Sequence, residues 1–191
     1  MPVSALADKP GSASLEGYLF PDTYRVFKGA TAEEIIVKML INFEVKLTSE
    51  LRTKIASRGA TIFETITMAS ILEREIRHGE DLPVAADVFY KRLESGRKLE
   101  SDATLNYVLP VGERKSSLTA ADLNNPSLYN TYRYGGLPPG PISNPGIKAI
   151  EAAITPTVND YWFFLTTPAG DTVFSKTGEE HLQNRRRYLG P

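Results

Sequence analysis

The chain has 191 residues, 41% of them hydrophobic and 24% charged, with a net charge of −1. Those values suit a globular protein with a proper core, as one domain or a domain with a small subdomain, and give no general attraction to nucleic acid or anionic membrane. The absence of cysteine excludes thiol nucleophiles, zinc thiolates and disulfides, and two histidines argue against a histidine-rich metal site or a Ser-His-Asp triad.

The opening 14 residues show neither a charged start followed by a long apolar run nor a membrane span, and read as a flexible lead. Residues 15–191 form the body of the protein. LEGYLFPDTYRV is aromatic and extended, interrupted by Pro21 and therefore an edge or loop. Thr31 and Glu34 form a capping box that opens a helix through about Leu47, with helical character continuing to Gly59. Thr61 and Glu64 repeat the box and open a helix that Gly79 ends, with His78 beside that end. A further helix is predicted over Pro83 to Glu94, with Gly96 as its stop. The span from Lys98 to Ile147 holds six prolines and many tyrosines and asparagines. It reads either as a Pro-stiffened connection or as a functional surface whose aromatic faces and amides suit sugars. Asn144 is expected to cap a helix with Pro145 at its first position. YWFFLTT and DTVFSKT flank PAG and predict a hairpin. Arg185 to Arg187 read as the solvated face of a last, polar helix that also carries His181.

The segment TIFETITMASILEREI carries the most chemistry. At about 100° per residue, Ile62, Ile66, Ala69 and Ile76 fall within roughly 80°, and Glu73 falls among them, whereas Glu75 points away with Glu64. A carboxyl on an apolar stripe tends to keep its proton near neutral pH, as a general acid requires. The alternative is a surface pair of Glu73 with Arg77, worth about 0.3–0.5 kcal/mol.

Several stretches resemble, in order, the signature of the MltG-type (YceG-like) endolytic murein transglycosylases. They are LEGYLFPDTY (Leu15 to Tyr24), ASILERE (Ala69 to Glu75), the group from Ser101 to Thr104, YNTY (Tyr129 to Tyr132) and GLPPGPISNPG (Gly136 to Gly146). The resemblance covers nearly the whole chain. It implies a bacterial enzyme that cuts between N-acetylmuramic acid and N-acetylglucosamine within peptidoglycan strands and leaves 1,6-anhydro ends. The implied fold is α+β, a mainly helical catalytic domain with a small hairpin and a long Pro/Tyr/Asn-rich loop region lining a cleft. Family members usually carry an N-terminal membrane helix and a LysM-like subdomain. Neither is visible here, so the chain is expected to be the catalytic region of a protein anchored at the extracytoplasmic face of the membrane, and not itself membrane-inserted.

By the same resemblance Glu73 is the catalytic acid and Glu75 an orienting or structural group. Ser101, Asp102 and Thr104 are expected to bind hydroxyls or orient Glu73, and Asn130 and Tyr132 to hold acetamido groups. Tyr129 or Tyr134 would offer a stacking face. Two carboxyls serve an ordinary glycosidase, whereas here the muramoyl C6 hydroxyl replaces an enzyme nucleophile. No metal or organic cofactor is called for. The expected partners are glycan strands and the peptidoglycan synthases that make them, with no nucleic acid. A hydrolytic muramidase and a non-catalytic peptidoglycan-binding module are the rival readings.

Overall fold

The computed structural model describes residues 4–110, 112 and 118–190. Met1 to Val3 of the expected lead, positions 111 and 113–117 of the middle span, and Pro191 lie outside the described residues. Among those described, helices α1 (Ala32–Lys46), α2 (Ser49–Ser57), α3 (Ile62–Glu75), α4 (Leu82–Glu94), α5 (Asp102–Val108), α6 (Ala120–Leu123) and α7 (Ile147–Ile154) precede a hairpin of β1 (Phe163–Thr166) and β2 (Thr172–Ser175), and α8 (Gly178–Leu189) closes the chain. The strands pair antiparallel, Phe163 opposite Ser175 and Thr166 opposite Thr172. The fold is α+β and mainly helical.

Helix α3 is the axis of the molecule. It packs against α7, α4, α5 and α2, and every residue from Thr65 to Leu72 is buried. Ile66, Met68, Ile71 and Leu72 each contribute about 1.5–3 kcal/mol by leaving water. The polar residues in this stretch satisfy their hydroxyls within the helix: Thr65 Oγ1 donates to the Thr61 carbonyl, Thr67 Oγ1 to Phe63, and Ser70 Oγ to Thr67. Both predicted capping boxes form, at Thr31 with Glu34 and at Thr61 with Glu64.

Three boundaries differ from expectation. The first long helix breaks at Leu47, whose side chain is buried, and Thr48 caps α2 afresh. Helix α3 stops at Ile76 rather than at Gly79, because Ile76 turns extended (φ −116°, ψ 125°) and drives its side chain into the core. Helix α7 starts after Gly146, and Asn144 does not cap it because its side chain is engaged elsewhere.

The opening segment, from Ser4 on, is not a free lead. Ser4–Leu6 make a 3-10 turn, Ala5 is fully buried, and both Ser4 Oγ and the Ala5 N–H donate to the Glu44 carboxylate. The sequence hides this because the anchor is a carboxylate about forty positions away.

Candidate active site

Helix α3 emerges from the core at Glu73. The residue is exposed, so the apolar-stripe expectation does not hold: the helix is buried on all sides from Thr65 to Leu72, and over that stretch the stripe has no exposed side for Glu73 to contrast with. Its partner is not Arg77. The backbone N–H of Gly146, the N-cap of α7, donates to Glu73 Oε2 at 3.1 Å. The positive end of α7 therefore lies beside this carboxyl. Oε2 is held by the amide, and Oε1 has no hydrogen-bond partner among the described residues.

Glu75 reverses its expected direction and turns inward. Its Oε1 accepts from the Ser101 hydroxyl and, at 3.1 Å, from the Ala103 N–H at the start of α5. Burial pushes this carboxyl above the usual range, an effect that the two hydrogen bonds oppose and the nearby Asp102 reinforces. The desolvated acid of the motif is thus Glu75, and the accessible one is Glu73.

The remaining expected site residues form the scaffold behind these two. Ser101 is buried, with its N–H on Thr131 Oγ1. Thr104 Oγ1 donates to the Ser101 carbonyl and meets Thr131 Oγ1. Asp102 Oδ1 accepts from the Tyr132 hydroxyl, and burial, then Asp102, push that phenol far up. Asn130 is 0% exposed. Its Nδ2 donates to the carbonyls of Leu123 and Asn125, and its Oδ1 accepts the Tyr132 N–H. These bonds leave the Asn130 amide nothing to offer an acetamido group, so its place is structural. Tyr129 tilts against Tyr107 (5.0 Å between centroids), and the Tyr134 hydroxyl donates to the Pro126 carbonyl.

Several positioning residues escaped the sequence reading. Ser70 Oγ accepts the Ile142 N–H, and Ser143 Oγ donates to the Ser70 carbonyl, which straps the Pro-rich loop onto α3. Asn144 Oδ1 accepts from Gly17 at 2.8 Å and Leu19 at 3.1 Å, tying the same loop to the LEGY segment. Buried Arg92 donates to the Leu99 carbonyl and twice to Trp162, fixing the approach to Ser101. The clue available for Asn144 was SNPG, a turn sequence whose amide has to bond something.

Arg74, the next residue in the chain, lines a cavity of about 300 Å³ together with Glu16, Asn106, Tyr107, Ser143 and Asn144, whereas Glu73 itself is not part of the lining. Among the described residues no three His, Asp or Glu side chains gather as a metal site, and no helix is long and apolar enough to cross a membrane.

Fold and site together define a mainly helical α+β domain with an exposed carboxyl held at the N-terminal end of α7. The chain belongs to the YceG-like family, whose sequence model matches residues 3–187. It is 37% identical over 175 residues to an endolytic murein transglycosylase of Bacillus subtilis (strain 168), covering 92% of this chain and 48% of that protein. It is 36% identical over 179 residues to one of Streptococcus pneumoniae serotype 2, covering 92% and 32%. The crystal structure of a YceG-like protein from Listeria monocytogenes superposes with a TM-score of 0.83 at 41% identity, covering 95% of this chain and 59% of that one. The chain thus spans about half of the Bacillus relative and about a third of the Streptococcus one.

Proposed function

We propose that this domain is an endolytic lytic transglycosylase acting on peptidoglycan, with Glu73 as its acid and base. The observation that carries the reading is the accessible Glu73 carboxyl, held through Oε2 by the Gly146 N–H, within a family whose relatives bear that activity in their names. Glu73 Oε1 delivers a proton to the glycosidic oxygen between N-acetylmuramic acid and N-acetylglucosamine. The C1–oxygen bond breaks, and the carboxylate left behind faces the positive end of α7. That carboxylate takes the proton of the muramoyl C6 hydroxyl as its oxygen closes onto C1. The product is a 1,6-anhydro end, no water is consumed, and the carboxyl is restored. Because the nucleophile belongs to the sugar, its proximity replaces an enzyme nucleophile. That substrate supports action on the extracytoplasmic side of the membrane, beside the peptidoglycan synthases that make the strands.

Glu75 is the rival acid, since burial favours its protonated form. Both hydrogen bonds to its Oε1 come from inside the domain, and it serves to hold α5 against α3. Digestion of purified peptidoglycan followed by mass analysis tests both points. Fragments should lack one water relative to hydrolysis products and should arise from the middle of strands. Glu73→Gln should lose at least about 10²-fold in rate, and Glu75→Gln less. Reducing muramoyl ends would establish a muramidase. Strand binding without cleavage by the parent protein would establish a binding module.

A further inference from the structure

The charges of the cavity lined by Arg74 find no counterpart in the glycan itself. Where the lactyl carboxyls are amide-linked to peptide stems, the N-acetylated sugars of a strand carry no formal charge, and their recognition uses aromatic faces and amides. Yet Arg74, the residue next to the proposed acid, lines this cavity, is exposed, and makes no hydrogen bond or ion pair among the described residues. Glu16 lines the same cavity from the LEGY segment, with Oε2 accepting from the Tyr107 hydroxyl at 2.7 Å. The two do not pair with each other. The Arg74 charge acts on the buried Glu75 carboxyl behind it, and the cavity presents a cation without an ion pair among the described residues and a carboxylate at separate points. Its volume of about 300 Å³ sits at the lower end of ligand pockets and suits a short segment rather than an extended strand.

In murein the ionised groups are on the peptide stems attached to the muramoyl lactyl group. We propose that this cavity receives the peptide stem of a muramoyl residue next to the cut, with Arg74 taking a stem carboxylate and Glu16 facing a stem ammonium. The proposal rests on the glycan-cleaving reading above and makes the stem a determinant of where the strand is cut. A guanidinium matches a carboxylate in two parallel hydrogen bonds, which a lysine at position 74 would not reproduce. The plain alternative is that Arg74 only complements the C-terminal end of α3. That role would alter folding stability and leave substrate preference untouched.

Three substrates separate these cases: strands with free stems, with amidated stem carboxylates, and with acetylated stem amines. The parent protein should show kcat/KM at least about 5-fold higher on free stems than on amidated ones, and that ratio should shrink with added salt. Arg74→Gln should bring the ratio close to one, mainly through KM, and Arg74→Lys should restore part of it. Glu16→Gln should erase the discrimination against acetylated amines and retain the carboxylate effect. An unchanged ratio in Arg74→Gln, or equal cutting of free and amidated stems by the parent, overturns the proposal and leaves the transglycosylase reading standing. If the parent cuts no strand, that reading fails instead, and titration of the free stem tetrapeptide into the protein decides the cavity. Arg74-dependent binding supports the proposal, and its absence overturns it.

Discussion

Gly17→Ala should be among the most damaging single-methyl changes outside the core. Gly17 has φ +92°, and a Cβ there would stand 2.6 Å from Pro141 Cγ, 2.7 Å from Pro141 Cβ and 2.8 Å from Ile66 Cγ2. The neighbours are a proline ring strapped to α3 and a fully buried side chain, so neither can retreat. Holding an L-residue at that backbone angle costs on the order of 1–3 kcal/mol. Overpacking adds about 1–3 kcal/mol, and the smaller unfolded-state entropy of alanine returns about 0.4–1 kcal/mol. The net expectation is a loss of about 3 kcal/mol. Gly96→Ala is the control, because Gly96 has φ +69° but open space around its missing Cβ. It should lose only the backbone part, and the difference between the two variants isolates the clash. Equilibrium urea denaturation monitored by two probes gives both numbers, provided the m-values agree. A Gly17→Ala protein within about 0.5 kcal/mol of the parent, or no worse than Gly96→Ala, would refute the claim that the LEGY segment and the Pro141 loop are locked face to face.

Glu75→Gln should change how stability depends on pH. The folded carboxyl lies above its unfolded value of about 4.3, so the native state binds more protons between the two values and stability falls as pH rises through that window. The glutamine keeps an oxygen for Ser101 and Ala103 and does not ionise, so its advantage over the parent should grow from pH 4.5 to pH 8; parallel denaturation curves would contradict this. Asn130→Ala should cost about 2–4 kcal/mol in a denaturation midpoint, because it strands two carbonyls and an N–H around a buried site. A variant of native stability with weakened glycan binding would return Asn130 to the substrate. Asn144→Ala should lower both stability, by about 1–3 kcal/mol, and turnover, since it frees the loop that presents Gly146 to Glu73. Full activity in that variant would separate the loop from catalysis.

What was legible in the sequence was local. Thr31 with Glu34, Thr61 with Glu64, and the PAG hairpin depend on neighbours within a few residues, and all three form as read. The directions of Glu73 and Glu75 were not legible, because a face argument needs a solvated side and α3 has none from Thr65 to Leu72. Helix α5 escaped although Ser101 stands at its N-cap, because seven residues give too few turns for an apolar period to show; in the fold the Ser101 hydroxyl goes to Glu75 instead of capping. Asn130 and Tyr132 read as sugar ligands from the YNTY resemblance and from residue type. Only the fold shows that the Asn130 amide and the Tyr132 hydroxyl already have partners.

The bond between Asn144 and Gly17 closes a loop of 127 positions, and the one between Glu73 and Gly146 closes 73. Closures of that span form late in folding, since chain entropy has to be overcome before the contact exists to reward it. A ribosome releasing this chain from its first residue onward has to deliver Gly146 before Glu73 can be seated. Until then the nascent protein has the residues of the proposed site without its geometry. The proposed activity is therefore coupled to completion of the domain, and a fragment truncated before the GLPPGPISNPG stretch should be inert however well its helices form.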